Sequence, residues 1–533
     1  LERTGVEEAG RDAVLRAELE HLAGRDVAPD ADHLGFAQAT FGLGAEDRVG
    51  VGAATGTEEG DAHEAHGVGV GCRLQTDFRI RTLNRSANRR RWPALLPMDR
   101  REFLHLTALG SLGAVALSGC AGGGGGGSVG PAPAAPGPVA PVGGKVMLGI
   151  DVLAADGFAR LQGLRCGLVT HRAGVNGLGQ RTVDVLARAP GVKLVKLFGP
   201  EHGIDGDAKA EVSVKNAKDA RTGLPIFSLY GATRRPTPEM LSGLDAILID
   251  FQDVGARSYT YISCMRYVIE ACFSLPRPVR VIVLDRPNPL GGEKVDGPFL
   301  DRKWRSYVGA YETPYVHGLT IGEIARWAVA TPGVLDLDDA QRRRGSLEVV
   351  AMRGWRRAMT WNLTGLNWTP TSPMINNAKA ALGYAMTGLG CMDSGFSHSS
   401  GVGQNFRFLT YPRRKAAELV AAFGNAVPGL ALQPQQLADG TQGVYVGVGD
   451  WPKLRPTAIS LHMLRQACVW APNPFAGLTG GKRELFIKHL GSEAFFEELR
   501  TQGARVDLAR WMARWDGDAA AFRARTAPFR LYA

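Results

Sequence analysis

Several familiar signatures are missing from this chain, and each absence removes a class of function. No strand-like run is followed by GxGxxG, GxxxxGKS or GxxxxGKT. Those glycine patterns let backbone N–H groups approach a pyrophosphate, so nucleotide binding has no grammar here. No strand-like run leads into a GxSxG elbow, its one match being Gly126 to Gly130 in a glycine run, and no HExxH motif occurs, which removes the common serine-hydrolase and zinc-protease routes. The seven cysteines (Cys72, Cys120, Cys166, Cys264, Cys272, Cys391 and Cys468) contain no CxxC pair and no zinc spacing. With Cys72 and Cys120 set aside, buried free thiols are expected of the other five rather than a disulfide framework. No metal site is marked, and no cofactor is called for. No basic helix interleaved with aromatics is present, so the net charge of +10 is not read as the footprint of a nucleic acid.

Methionine is absent from residues 1–97, which begin at Leu1, are rich in Gly, Ala and Glu, and sustain neither helical nor strand periodicity. This stretch reads as upstream sequence translated with the gene and is expected to be disordered. The text changes at Met98. Residues 98–120, "MDRREFLHLTALGSLGAVALSGC", pair Arg100 with Arg101, continue through a short apolar run and end in "LSGC" at Cys120. The pattern is that of a twin-arginine export signal closing in a lipobox, with Cys120 as the site of lipidation. The apolar run is too short to span a hydrocarbon core of about 30 Å. Membrane contact is therefore expected through the lipid alone, at the cell envelope, in the periplasm or on the outer face of the cytoplasmic membrane. Residues 121–145 open with six consecutive glycines and turn Pro- and Ala-rich, a composition that tethers rather than folds.

Beyond Lys145, apolar β-branched runs alternate with helical segments, the pattern of a parallel sheet with crossover helices. The runs are Arg165 to His171, Val192 to Gly203, Leu224 to Gly231, Leu244 to Gly255 and Val279 to Gly292, each apolar first and polar at its end. In an open parallel sheet the strand C-termini share one edge, where ligands bind near the topological switch point. His171, Glu201, His202, Tyr230, Asp250, Asp253, Asp285, Arg286 and Asn288 are thus expected on one rim. For a lone Asp at a strand end, capping or turn formation is the favoured use. Glu201, in "LFGPEHGIDG", is different because Glu is favoured neither in turns nor at N-caps. His202 divides between supporting the turn and touching a substrate.

Taken together, "GLVTHRAGVN", "LFGPEHGIDG", "TGLPIFSLYG" with "PTPEML", "DFQDVGARSYTYI", "VIVLDRPNPLGG", "VDGP" and "HGLTIGE" resemble the DUF1343 family, exo-β-N-acetylmuramidases of the NamZ type. The likeness runs in register from about Leu148 to Glu323 and more loosely to the C-terminus. It implies an α/β fold: a Rossmann-like parallel-sheet domain (146–345) joined to a smaller C-terminal α+β domain (346–533). The implied activity is release of terminal N-acetylmuramic acid from the non-reducing end of peptidoglycan fragments, which would be the partners of this chain. The glutamate of "PEHG" is that family's leading catalytic candidate, here Glu201, with His202 and Asp253 beside it.

Glycoside hydrolysis needs an acid for the departing oxygen and a second group to position water or stabilise the cationic centre. Glu201 is assigned the acid/base role. Asp250, Asp253, Glu312 and the sugar's own 2-acetamido group remain open for the second. Arg257 and Arg286 are expected to meet the lactyl carboxylate, and His317 to join the substrate contacts. Trp355, Trp361 and Trp368 could stack on sugar, although core packing accounts for at least two of them. One departure stands out: where the family reads close to "TGLLEGTNLSVGRGT", this chain has "TGLGCMDSGFSHSSGVG" (Thr387 to Gly403), with Cys391 at or next to the acidic position. A non-catalytic cell-wall-binding lipoprotein, or a glycosidase for another amino sugar, stays open on that account.

Overall fold

A computed structural model describes residues 145–208, 212–398 and 403–533. The upstream segment, the export signal with Cys120 and the linker up to residue 144 lie outside the described residues. So does part of the altered "TGLGCMDSGFSHSSGVG" segment.

Strands β1 (Arg165–Thr170), β2 (Lys193–Gly199), β3 (Ala217–Lys218), β4 (Pro225–Ser228), β5 (Ala246–Asp250) and β6 (Arg280–Leu284) are followed by a hairpin of β7 (Asp296–Phe299) and β8 (Pro314–Val316) and then by β9 (Leu347–Val350). Seven of them form one sheet in the order β3-β4-β2-β1-β5-β6-β9, parallel throughout except for β3. All five expected runs are strands of it, and the α/β fold stands as expected. The chain moves outward from β1 through β2 to β4, then restarts at β5 on the other side of β1. That reversal is the switch point, between β1 and β5.

The alternation of side chains follows from the two-residue period of a strand. Leu168, Leu248 and Ile282 point to one face, against Ile150, Leu153, Val183 and Leu186. Val169, Ile249 and Val283 point to the other, against helix Tyr261–Ser274 and helix Ile321–Ala330. Each such aliphatic side chain, once buried, contributes about 1.5–3 kcal/mol. Helices on both faces explain why the strands are continuous apolar runs.

The second face continues without a break into the C-terminal region. There β10 (Phe408–Leu409), β11 (Leu430–Gln436) and β12 (Gln442–Val448) make a small antiparallel sheet among helices that include Ala458–Trp470 and Leu508–Thr526. The boundary expected at residue 345 falls just before β9, so the first sheet extends past it to Val350. Tyr532, next to the last residue, donates from its hydroxyl to Asp285 and closes the C-terminus onto the first sheet. Cys166, Cys264, Cys272, Cys391 and Cys468 are free thiols.

Candidate active site

Glu201 follows β2 on a tight turn and is 8 % exposed. The turn is built from two successive left-handed residues, His202 (φ 69°) and Gly203 (φ 76°). Glycine takes that conformation freely, whereas histidine adopts it at a cost. His202 is held by a 2.8 Å contact between its Nδ1 and the Ala208 carbonyl, so the structure gives it the turn-supporting role.

Glu201 Oε2 accepts a 2.7 Å hydrogen bond from Thr260 Oγ1. Thr260 is the N-cap residue of the 14-residue helix Tyr261–Ser274 but makes no side-chain capping bond. A threonine there would ordinarily satisfy a helix N–H; its hydroxyl is turned to the carboxylate instead. Glu201 consequently sits by the positive end of that helix.

Three buried tyrosines lie close enough to feel the charge of the carboxylate. The phenols of Tyr261, Tyr307 and Tyr384 are pushed well up, first by burial and further by the charge of Glu201. They stay protonated, and Tyr261 donates its hydroxyl to the Thr371 carbonyl. Tyr384 opens a π-helical turn (Tyr384–Gly388), a distortion common at functional sites, and its hydroxyl shares a 2.9 Å bond with Ser258 Oγ. Tyr259 donates to Thr371 Oγ1 at 2.8 Å. Tyr230 lies 5.9 Å, ring to ring, from Tyr307. Above both, the half-buried Arg234 guanidinium stands 5.5 Å from the Tyr230 ring and 4.6 Å from the Tyr307 ring.

Several expected rim residues are used differently. Asp250 and Arg286 form a buried two-pronged ion pair, with one prong at 2.9 Å. Asp250 accepts from Thr182 as well, and Arg286 donates to the Val175 carbonyl. Arg257, expected at the rim, is 0 % exposed. It donates to the carbonyls of Pro298, Thr313, His489 and Leu490 and so clamps the hairpin to the C-terminal region.

Asp285 accepts from Arg286 N, Gly322 N, Thr320 Oγ1 and Tyr532, and burial raises its carboxyl to about 6. Asn288 bridges Leu290 N and the Leu319 carbonyl, each at 3.0 Å. These bonds tie the ends of the strands to the rest of the fold.

Asp253 accepts from Gly255 N at 2.8 Å and points the same oxygen at His317 Nε2, 3.6 Å away. His317 accepts from Leu319 N through Nδ1, so its proton is on Nε2. The other Asp253 oxygen is buried and without a partner, out of reach of a bulk water. His171 accepts from Gln252 N through Nε2 at 3.0 Å, packs on Tyr261 at 4.4 Å and is held neutral by burial. Glu312 faces Arg302 at 3.7 Å. Trp355 packs against Tyr532 at 5.0 Å and Trp361 against Trp368 at 4.8 Å.

In the altered segment Cys391 is a buried thiol raised well above its ordinary value by burial. His398 stacks on Phe406 at 4.1 Å. Among the described residues no group of three His, Cys, Asp or Glu side chains is arranged for a metal, and no helix is long and apolar enough to cross a membrane.

The sequence reading missed Thr260, Tyr307, Tyr384 and Arg234. Its available signal was "SYTYI", which sets two tyrosines around Thr260 at the head of a helix.

Two family models match the chain in succession. The N-terminal model of exo-β-N-acetylmuramidase NamZ matches residues 166–379, and the C-terminal model matches 382–532. The peptidoglycan β-N-acetylmuramidase NamZ of Bacillus subtilis (strain 168) is 37% identical over 346 residues, covering 63% of this chain and 81% of that protein. The crystal structure of a DUF1343 family protein from Bacteroides fragilis NCTC 9343 superimposes with a TM-score of 0.65 at 33% identity, covering 73% of this chain and 100% of that one. A second DUF1343 protein of that organism gives 0.52 at 25% identity, covering 73% and 99%.

Proposed function

The chain belongs to the NamZ family, and from that premise we propose that it is an exo-β-N-acetylmuramidase that removes terminal N-acetylmuramic acid from peptidoglycan fragments, with Glu201 as its acid/base. The observation that carries this reading is the Glu201 carboxylate, fixed by Thr260 on the sheet edge with protonated tyrosines near it.

In the first step the proton of Glu201 passes to the glycosidic oxygen as the bond to the anomeric carbon breaks. Of the groups weighed for the second role, Asp250 is spent on Arg286, Asp253 is turned to Gly255 and His317, and Glu312 faces Arg302. The 2-acetamido oxygen of the sugar is what remains of that set. It attacks the anomeric carbon and closes an oxazolinium ring, which keeps the amide proton and carries the positive charge. Water then opens the ring, giving its proton to the Glu201 carboxylate. Neutral tyrosine hydroxyls are suited to hold the acetamido and ring oxygens. Arg234 takes the place that Arg257 and Arg286 were expected to fill, as the cation for the lactyl carboxylate. Export and lipid anchoring through Cys120 belong to the same proposal, supported by the Arg100–Arg101 pair and the "LSGC" segment.

The test is hydrolysis of 4-nitrophenyl N-acetylmuramide and of the matching N-acetylglucosaminide by the full chain and its Glu201→Gln variant. Release from the muramide alone, lost in the variant, is expected. The buried Cys391, where a carboxylate was expected, favours a second reading as a muropeptide binder. That reading replaces the first if neither sugar is released while muropeptides still bind.

A further inference from the structure

The sheet edge opposite Glu201 carries a groove of its own. Because β1, β2, β5, β6 and β9 run parallel, their first residues share one edge and their last residues the other. Glu201 follows the end of β2, on the C-terminal edge. On the N-terminal edge lies a groove of about 530 Å³ whose walls include Arg165, Asp245, Arg277, Arg280 and Arg344, a size within the ordinary range of small-molecule sites, about 300–1,000 Å³. β5 and β6 are five residues long, so about 17 Å of strand separates this groove from the Glu201 rim.

The four guanidiniums are of two kinds. Arg165 is locked by a two-pronged pair with Asp245, Nε to Oδ2 and Nη2 to Oδ1, each at 3.1 Å, and its Nη1 lies toward Gly243, 3.7 Å from where a Cβ would stand there. Arg280 gives Nη2 to Glu348, a carboxylate it shares with Arg160. These two are fixed by the fold, each with part of its fork left over. Arg277 and Arg344 are exposed and make no ion pair among the described residues. Arg277 precedes Pro278, which confines its backbone to extended forms, and its charge joins the bonds from Arg165 in holding the Asp245 carboxyl down to about 2. It therefore stands beside the Arg165 pair. Arg344 closes the helix Asp339–Arg344.

Asp245 offsets Arg165 and Glu348 offsets Arg280, so the positive charges of Arg277 and Arg344 face the groove without a counter-charge. A phosphate monoester brings about −1.5 to −2 charges and three acceptor oxygens, and planar forks suit phosphate oxygens. The buried Leu244 and Val279 add an apolar floor for the organic part of such a ligand. We propose that this groove is a binding site for a phosphate monoester, separate from the site at Glu201 and independent of the muramidase reading.

The probe is sn-glycerol 3-phosphate, titrated calorimetrically into the full chain. Saturable binding is expected, weakened at least tenfold in the double variant Arg277→Gln/Arg344→Gln with the thermal midpoint unchanged. Arg505→Gln/Arg523→Gln, which removes the same charge from exposed arginines elsewhere, should bind as the parent does. No binding by the parent, equal weakening in both double variants, or displacement by an equal concentration of acetate overturns the site. Vesicles of phosphatidylcholine with phosphatidic acid then identify the source of the phosphate. If the chain binds them, is released by glycerol 3-phosphate and loses both responses in the groove variant, the ligand is a lipid headgroup; if vesicle binding is the same in parent and groove variant, the ligand is a free ester. Hydrolysis of 4-nitrophenyl N-acetylmuramide should be unchanged in the groove variant. A matching loss of turnover in folded protein would overturn the separation from Glu201, whereas phosphate binding by a chain that cleaves no muramide leaves the groove standing and removes the muramidase reading alone.

Discussion

The sheet edge beyond β2 and the edge beyond β5 and β6 carry the same kinds of residue, carboxylates and a basic or imidazole partner after an apolar strand, yet they end in opposite states. Beyond β5 and β6, Asp250 pairs with Arg286 and Asp285 collects four hydrogen bonds, so the charges are consumed by the fold. Beyond β2, Glu201 meets the hydroxyl of Thr260 and a wall of tyrosines. The difference lies in what the chain lays over each edge. Arginine and backbone N–H groups neutralise the carboxylates beyond β5 and β6, whereas the one beyond β2 meets a threonine hydroxyl and the phenols near it. Strand-end position places a polar group at a rim; its neighbours decide whether it is structure or chemistry.

The sharpest way to break the comparison is to exchange the failures. Glu201→Gln should reduce kcat on the muramide roughly a thousandfold, with little change in the urea midpoint. Asp250→Ala should do the reverse, removing one partner of a buried ion pair at a cost of about 3–5 kcal/mol, read by urea unfolding, with activity per folded molecule retained. If Asp250→Ala abolishes turnover in protein that is still folded, the assignment of that edge to structure is wrong.

How much of this was legible in the sequence follows from the same contrast. Topology was readable because a parallel sheet buried on both faces must be written in continuous apolar runs, and the rim follows from the strand ends. Glu201 was readable because glutamate has no turn-forming use. Arg257 and Arg286 were misread because partner identity is a long-range property: the carbonyls that Arg257 clamps include His489 and Leu490, more than two hundred residues away. Tyr384 reaches Ser258 across 126 residues, with no local pattern to announce it. The short β9, which carries the first sheet past residue 345, was hidden by the arginine-rich helix before it, Asp339–Arg344, which looks like an ending.

Protonation probes the buried side of the comparison. His398 is stacked on Phe406 and lowered to about 4 by burial. With an unfolded value near 6.5, the unfolded chain binds the proton more readily, so the stability His398 contributes is complete above about pH 6.5 and is lost as pH falls towards 4. The full difference is about 3 kcal/mol. Thermal midpoints of His398→Gln should therefore fall less steeply than the parent's between pH 6.5 and 4. Parallel slopes would show that His398 is already protonated in the fold. A smaller effect is expected at the exposed side of the comparison: Thr260→Val should lower kcat about tenfold at unchanged KM, and Thr260→Ser should restore it, because the hydroxyl orients Glu201 and touches no sugar.

The smallest effect should come from Arg234, and it sharpens the comparison at its weakest point. Arg257 and Arg286 lie within the fold, while Arg234 is half-buried over the rings of Tyr230 and Tyr307. A guanidinium partly open to water is screened, so its attraction for a carboxylate is worth about 0.2–1 kcal/mol. Arg234→Gln should accordingly raise KM for 4-nitrophenyl N-acetylmuramide by no more than about fivefold. Any hydrolysis of the glucosaminide, which has no lactyl group, should be unaffected. An equal rise for both sugars would mean that the cation steadies the tyrosine wall rather than reading the lactyl carboxylate. Selectivity for muramic acid would then have to come from the shape of that wall.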